Sequence, residues 1–245
     1  MSQSNSILVA EAQDGQPVAL AELNRRMTSL SVPQRIAFAL EHLPETHVLS
    51  SSFGAQSAVA LHLVTHHAPK IPVVLIDTGY LFPETYLFVD ELRERLQLNL
   101  QVRRSPLSPG WLEARHGRLW ERGLDGIETY NDLTKVQPMQ KALRELRAGT
   151  WISGVRRSQS ASRAELPLLE IRDGRFKFHP LFDWTDRDVG KYLKSHDLPY
   201  HPLWDQGYVS IGDWHTTRPL SEVENIEQTR FMGLKRECGL HGLDG

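Results

Sequence analysis

Residues 71–76 read Ile-Pro-Val-Val-Leu-Ile and stop at Asp77. An apolar run without alternation has no face to offer water, so as a strand it must be covered on both sides, as in a parallel sheet. Its neighbours fit that demand. His47-Val48-Leu49-Ser50-Ser51-Ser52 reads as a strand, Phe53–Gln56 as a turn, and Ser57–His66, carrying Val59, Leu61, Leu63 and Val64, as a helix. Pro83 opens another helix, Glu84–Leu96, and Leu98–Val102 makes a third strand. The alternation predicts βαβ units and an α/β fold with a doubly wound, mostly parallel sheet.

The rest of the chain extends this pattern. Leu20–Leu30 is amphipathic, and Ile36, Ala39, Leu40 and Leu43 repeat at helical spacing after Pro33, which predicts two N-terminal helices. Pro138–Leu146 reads as a helix and Thr150–Gly154 as a strand; Asp173-Gly174 joins two short strands in a hairpin. Thr185 and Asp188 are spaced as a capping box for a helix to Lys194. Residues 1–17 are polar and aperiodic, and periodicity fades after Tyr200. We therefore expect a flexible N-terminus (1–17), an α/β nucleotide-binding domain (18–204) and a mobile C-terminal tail (205–245) that folds over a site.

Composition narrows the function classes. With 40% hydrophobic and 24% charged residues and a net charge of −2, the chain has no global basic field for nucleic acid. No apolar run is long enough to span a membrane, and the N-terminus lacks the pattern of a signal peptide, so a cytoplasmic location is expected. The single cysteine, Cys238, excludes an intrachain disulfide, a CxxC pair and a multi-cysteine metal site.

Three segments carry candidate chemistry. Ser50-Ser51-Ser52-Phe53-Gly54-Ala55-Gln56 lies between a predicted strand and helix, where backbone N–H groups point outward and bind anions. The same letters also suit a capped polar turn. Asp77-Thr78-Gly79 ends the next strand, at the edge of a sheet where ligands sit; the alternative is a helix cap before Pro83. Arg156, Arg157 and Arg163, interleaved with three serines, suit phosphate or sulfate, or a solvated loop. In the tail, Lys235, Arg236 and His241 flank Cys238 and would favour its thiolate, which Glu237 opposes. A reactive Cys238 needs a thiol from outside the chain, because the chain contains no second one; otherwise it is an inert tail thiol.

Taken together, SSSFGAQSAV, LIDTGYLFPETY, GVRRSQSASRA, YHPLWDQGYVSIGDWHTTR and KRECGLH closely resemble the bacterial phosphoadenylyl-sulfate reductases, from about Leu20 to His241. The resemblance implies an adenine nucleotide α-hydrolase-like fold, with Ser50–Gln56 and Asp77–Gly79 lining the nucleotide. It implies that Lys135, Arg156, Arg157, Arg163, Arg218, Arg236 and His241 bind the phosphates and sulfonate, and that Cys238 is the nucleophile. Thioredoxin or glutaredoxin would be the reducing partner, 3′-phosphoadenylyl sulfate the substrate, and a homodimer the assembly, with no bound cofactor and no metal. The sister adenylyl-sulfate reductases hold an iron–sulfur cluster on two cysteine pairs. Those places are here Tyr130-Asn131, and Asp213 with Thr216, so the resemblance implies an enzyme with no iron–sulfur cluster. Three rivals stand beside this: a cluster-free reductase of adenylyl sulfate, an ATP-dependent nucleotidyltransferase or pyrophosphatase of the same fold, and a catalytically silent nucleotide-binding module.

Overall fold

The computed structural model describes residues 20–235. The expected flexible N-terminus lies outside them, as do Arg236, Cys238 and His241. Two N-terminal helices, α1 (Leu20–Thr28) and α2 (Val32–His42), precede β1 (His47–Ser50), α3 (Ala58–His67), β2 (Pro72–Ile76), α4 (Pro83–Arg95) and β3 (Asn99–Arg103). Then come α5 (Pro109–His116), α6 (Gly123–Asn131), a wider π-type turn at Asp132–Val136, α7 (Gln137–Glu145) and β4 (Thr150–Ser153). The hairpin β5 (Leu169–Arg172) and β6 (Arg175–Phe178) and helix α8 (Asp186–Ser195) follow.

The six strands lie in the order β3-β2-β1-β4-β6-β5, all pairs parallel except β5 with β6. The apolar run at β2 is covered on both faces, as expected. Val73 and Leu75 join the large core with α1, α2, α3 and α8, while Val74 and Ile76 join Val48, Trp151 and the α7 residues Met139, Ala142 and Leu143 on the other face. This is period-two alternation with both layers apolar. The hairpin turn has positive φ at both Asp173 (50°) and Gly174 (73°), the geometry that two-residue turns between twisted strands require. The capping box on α8 is formed: Asp188 N–H donates to Thr185 Oγ at 3.3 Å, and Thr185 N–H to Asp188 at 3.0 Å.

Helices α5 and α6 are not anticipated by the sequence pattern. Ser108 caps α5 through Trp111 N–H at 3.3 Å with Pro109 in the first turn, whereas Gly123 and Gly126 weaken the helical pattern of α6. Residues 201–235 hold no long element, yet Asp213, Thr229 and Phe231 in them are fully buried. This segment bonds back to the sheet loops, through His201 N–H to Ala55 O at 3.1 Å and Trp214 N–H to Tyr80 O at 2.9 Å.

Candidate active site

The chain runs from β1 outward to β2 and β3, then returns to place β4 on the other side of β1. The crevice at such a reversal, beyond the carboxyl ends of the strands, is where open α/β sheets bind ligands. Three of the anticipated loops meet there: Ser51–Ser57 after β1, Asp77–Gly79 after β2, and the arginine loop after β4.

The serine loop is organised around Phe53, whose ring is fully buried and whose φ is 51°. A left-handed residue in such a turn is one element of the backbone nests that bind anions. Ser50 Oγ accepts from Trp151 Nε1 at 2.7 Å and Ser51 Oγ from Phe53 N–H at 3.1 Å, so these two hydroxyls shape the loop. Among the described residues, the N–H groups of Ser52, Gly54, Ala55 and Gln56 find no acceptor, and Ser52 is exposed. Ser57 Oγ, at the start of α3, is buried and also without a partner. Unsatisfied donors at a helix N-terminus carry the positive end of its dipole, so the loop is electrostatically open to an anion. A methyl added at Gly54 would stand 3.6 Å from Ile211 O, which puts the C-terminal segment beside the loop.

The second loop is differently employed. Asp77 is buried and accepts from Gly79 N–H (2.8 Å), Tyr86 Oη (2.7 Å) and Arg104 Nε (2.7 Å), so its carboxylate is committed to protein groups. Gly79 has φ 77°, and a side chain there would run into Pro109 Cγ at 2.5 Å, so the close approach of α5 requires glycine. Thr78 Oγ donates to Asp213 at 2.5 Å.

Asp213 is the hub of the site's polar core. Its fully buried carboxylate pairs with Lys135 Nζ at 2.6 Å and accepts from Tyr130 Oη at 3.0 Å as well as from Thr78. Burial pushes its pKa up, but the Lys135 charge and these donors outweigh burial and hold it at about 2. The Lys135 ammonium lies between the rings of Tyr130 (5.2 Å) and Phe231 (5.3 Å). Isolating either charge of such a buried pair costs about 3–5 kcal/mol. Of the four cysteine places of the sister family, Tyr130, Asp213 and Thr216 therefore lie in a network built on an ion pair, while Asn131 is buried with its side-chain amide unpartnered. That donor set contains no thiolate and does not fit an iron–sulfur cluster. Among the described residues, no three His, Asp or Glu side chains are arranged to hold a metal ion.

The arginines of the loop after β4 are bonded within the fold, and Arg156 is paired with a carboxylate. Arg156 is buried and donates to Gln56 Oε1 at 2.5 Å, Asp186 at 3.0 Å, Ser158 Oγ at 3.2 Å and Trp184 O at 3.4 Å. Arg157 stacks on Phe182 at 4.6 Å and donates to Leu166 O at 2.7 Å. Arg163 donates to Gln159 Oε1. Arg218 is exposed, bonding Thr217 O at 2.8 Å and standing 3.9 Å from Glu222.

Other site residues carry no sequence signal of their own. Arg230 lies against Gly212, donates to Ser210 Oγ at 3.4 Å, pairs with no carboxylate among the described residues, and keeps a buried Nε without a partner. It is a half-buried cation within one residue of the Ile211 carbonyl that approaches the serine loop. The His215 ring lies tilted against that of Trp120, centroids 3.8 Å apart, and burial pushes its pKa down to about 4 against the pull of Asp213. His201, buried beside the serine loop, is likewise pushed down to about 4 by burial.

Residues 46–219 match the phosphoadenosine phosphosulfate reductase domain family. The chain is 61% identical over 222 residues to the phosphoadenosine 5′-phosphosulfate reductase of Xanthomonas euvesicatoria, covering 91% of this chain and 92% of that one. Over 227 residues it is 62% identical to the corresponding protein of Thiocapsa roseopersicina, covering 93% and 95% of the two chains. The phosphoadenylyl-sulfate reductase of Candida auris, solved with phosphate, superposes with a TM-score of 0.71 at 29% identity, over 83% of this chain and 99% of that one. The FMN adenylyltransferase of Candida glabrata shares the fold at 17% identity and a TM-score of 0.59, over 83% and 68% of the two chains. The architecture is thus the expected adenine nucleotide α-hydrolase-like one, and the chain, an oxidoreductase, belongs to the phosphoadenosine phosphosulfate reductase family.

Proposed function

We propose that this enzyme reduces 3′-phosphoadenylyl sulfate to sulfite and adenosine 3′,5′-bisphosphate, with Cys238 as nucleophile and reduced thioredoxin as electron donor. The observation that carries the reading is the serine loop, whose unpartnered N–H groups and Ser57 hydroxyl face the sheet's topological switch point in a member of this family. The loop, Arg230, Arg218 and the tail cations Arg236 and His241 hold the phosphosulfate. Lys135, with donors left beyond Asp213, faces the sulfonate. Arg156 and Asp77 act through the loops they brace.

The Cys238 thiolate attacks the sulfur, the bond from that sulfur to the bridging oxygen breaks, and the nucleotide leaves with the electron pair. Preorganised donors stabilise the charge gained by the departing phosphate. Cys238 is left as an S-sulfonate. One thiolate of reduced thioredoxin then attacks Cys238 Sγ and sulfite departs with the bonding pair. The second thioredoxin thiolate displaces Cys238 and leaves thioredoxin as the disulfide, a two-electron balance. The reading includes a cytoplasmic homodimer in sulfate assimilation, in which residues 205–245 carry the cysteine to the α/β domain.

Intact mass spectrometry of reduced protein mixed with 3′-phosphoadenylyl sulfate, without thioredoxin, tests the mechanism. A single sulfonate on Cys238, discharged by reduced thioredoxin, is expected. No adduct from folded protein with a free thiol would refute it. The same experiment with adenylyl sulfate reads nucleotide selectivity, and glutaredoxin in place of thioredoxin reads donor choice.

A further inference from the structure

A cleft of about 440 Å³ opens beside the Asp213 network; none of its lining residues comes from the serine loop, and Arg218, assigned above to the phosphosulfate, stands on its wall. His215 and Trp120 line it from the buried side, and both nitrogens of the His215 ring are buried without a partner. Trp214 (52% exposed) and Met232 (53%) line it from the solvent side. Its charges largely cancel, because Arg118 reaches Glu121 at 3.2 Å and Glu113 at 3.7 Å, and Arg218 stands 3.9 Å from Glu222. Leu234 (52% exposed) follows Met232 by two residues, and Lys235 Nζ is anchored to Glu128 at 2.8 Å. Exposed Trp and Met beside a recess whose charges are compensated are a composition found at protein-binding surfaces.

The position of this patch in the chain identifies its occupant. Cys238 is the third residue after Lys235. Three residues of fully extended chain span roughly 10 Å, so any thiol that reaches Cys238 comes within about that distance of the anchored Lys235. A protein carrying that thiol must cover the surface beside it, which here includes Met232 and Leu234. The chain supplies no second thiol of its own.

We infer that the Trp214–Met232–Leu234 surface and its cleft are the docking site for the dithiol protein that discharges Cys238, and that this partner presents an apolar, weakly charged surface around its own reactive cysteine. The inference rests on the thiol-transfer reading above. The chemistry is the second half of that reaction: the partner's thiolate bonds to Cys238 Sγ, sulfite leaves with the electron pair, and the partner's other thiolate closes its disulfide and frees Cys238.

The test uses the full chain and two variants at exposed side chains, Trp214→Ala and Met232→Glu. Three rates are read: S-sulfonation of Cys238 by 3′-phosphoadenylyl sulfate without reductant, sulfite release by dithiothreitol, and turnover against reduced thioredoxin concentration. The first two are expected to stay within twofold of the unmodified chain, while the KM for reduced thioredoxin rises at least tenfold in each variant. An unchanged KM overturns the docking assignment. So does an equal loss in sulfonation, which would give the cleft to the nucleotide or to the chain's own last residues. Failure of the unmodified chain to form the sulfonate would instead bring down the thiol-transfer reading itself.

Discussion

Two loops leave neighbouring parallel strands at the switch point, and both are rich in hydrogen-bond donors. After β4, the guanidinium groups of Arg156 and Arg157 are aimed at Gln56, Asp186, Leu166 O and the face of Phe182. After β1, the side chains of Ser50 and Ser51 hold the loop in shape, and the N–H groups of Ser52, Gly54, Ala55 and Gln56 are left open. The loop with the greater formal charge thus has guanidinium groups engaged within the fold, and the loop with none keeps unpartnered N–H groups. Donor count does not identify an anion site; uncommitted donors do.

The sharpest way to break this comparison is Arg156→Ala. It removes a buried guanidinium with four acceptors and is expected to cost about 3 kcal/mol of stability in chemical denaturation, more than it costs in nucleotide affinity. Unchanged stability with abolished nucleotide binding would make the β4 loop the receptor after all.

Acid should act next, and on the β1 side. Leu203 N–H donates to His201 Nδ1 at 3.1 Å, and Nε2 meets Thr85 Oγ at 2.9 Å, so a proton on Nδ1 breaks the ring's bonding. The folded pKa of His201, about 4, lies below the ordinary 6.5. Between those values the unfolded chain binds the proton and the folded chain does not, so stability is full above pH 6.5 and is lost as pH falls toward 4. A loss on the order of 2 kcal/mol over that window is expected in thermal or urea unfolding. His201→Gln should flatten the slope by about one proton; an unaltered slope would place the proton uptake elsewhere.

Ser57→Ala sharpens the comparison by sign. Deleting a buried hydroxyl that has no partner should leave the unliganded protein as stable as before, or more stable by up to about 1 kcal/mol. Affinity for adenosine 3′,5′-bisphosphate, read by calorimetry, should fall about tenfold, or about 1.4 kcal/mol. The smallest effect is expected from Arg157→Ala, about 1 kcal/mol of stability with little change in that affinity.

Much of the scaffold is legible in the sequence, because strand and helix periods, the Thr185–Asp188 box and the Asp173-Gly174 turn are local patterns that the fold obeys. The serine loop is legible for the same reason: its placement between strand and helix determines where its N–H groups point. The commitment of Arg156 is not, since Gln56 and Asp186 are brought to it only by the folded chain. Nor is the pairing of Lys135 with Asp213, which joins a turn before α7 to a segment with no periodicity. Arg230 and His215 sit in that same segment, where burial is imposed by neighbours distant in sequence.

The donors to Asp213 come from two separate stretches: Thr78 after β2, and Tyr130 with Lys135 at the end of α6 and in the turn that follows. Lifting residue 213 away would strand an ammonium between two aromatic rings. The C-terminal segment therefore cannot fray like an ordinary chain end, and its amides near Asp213 should exchange with solvent as slowly as those of the sheet.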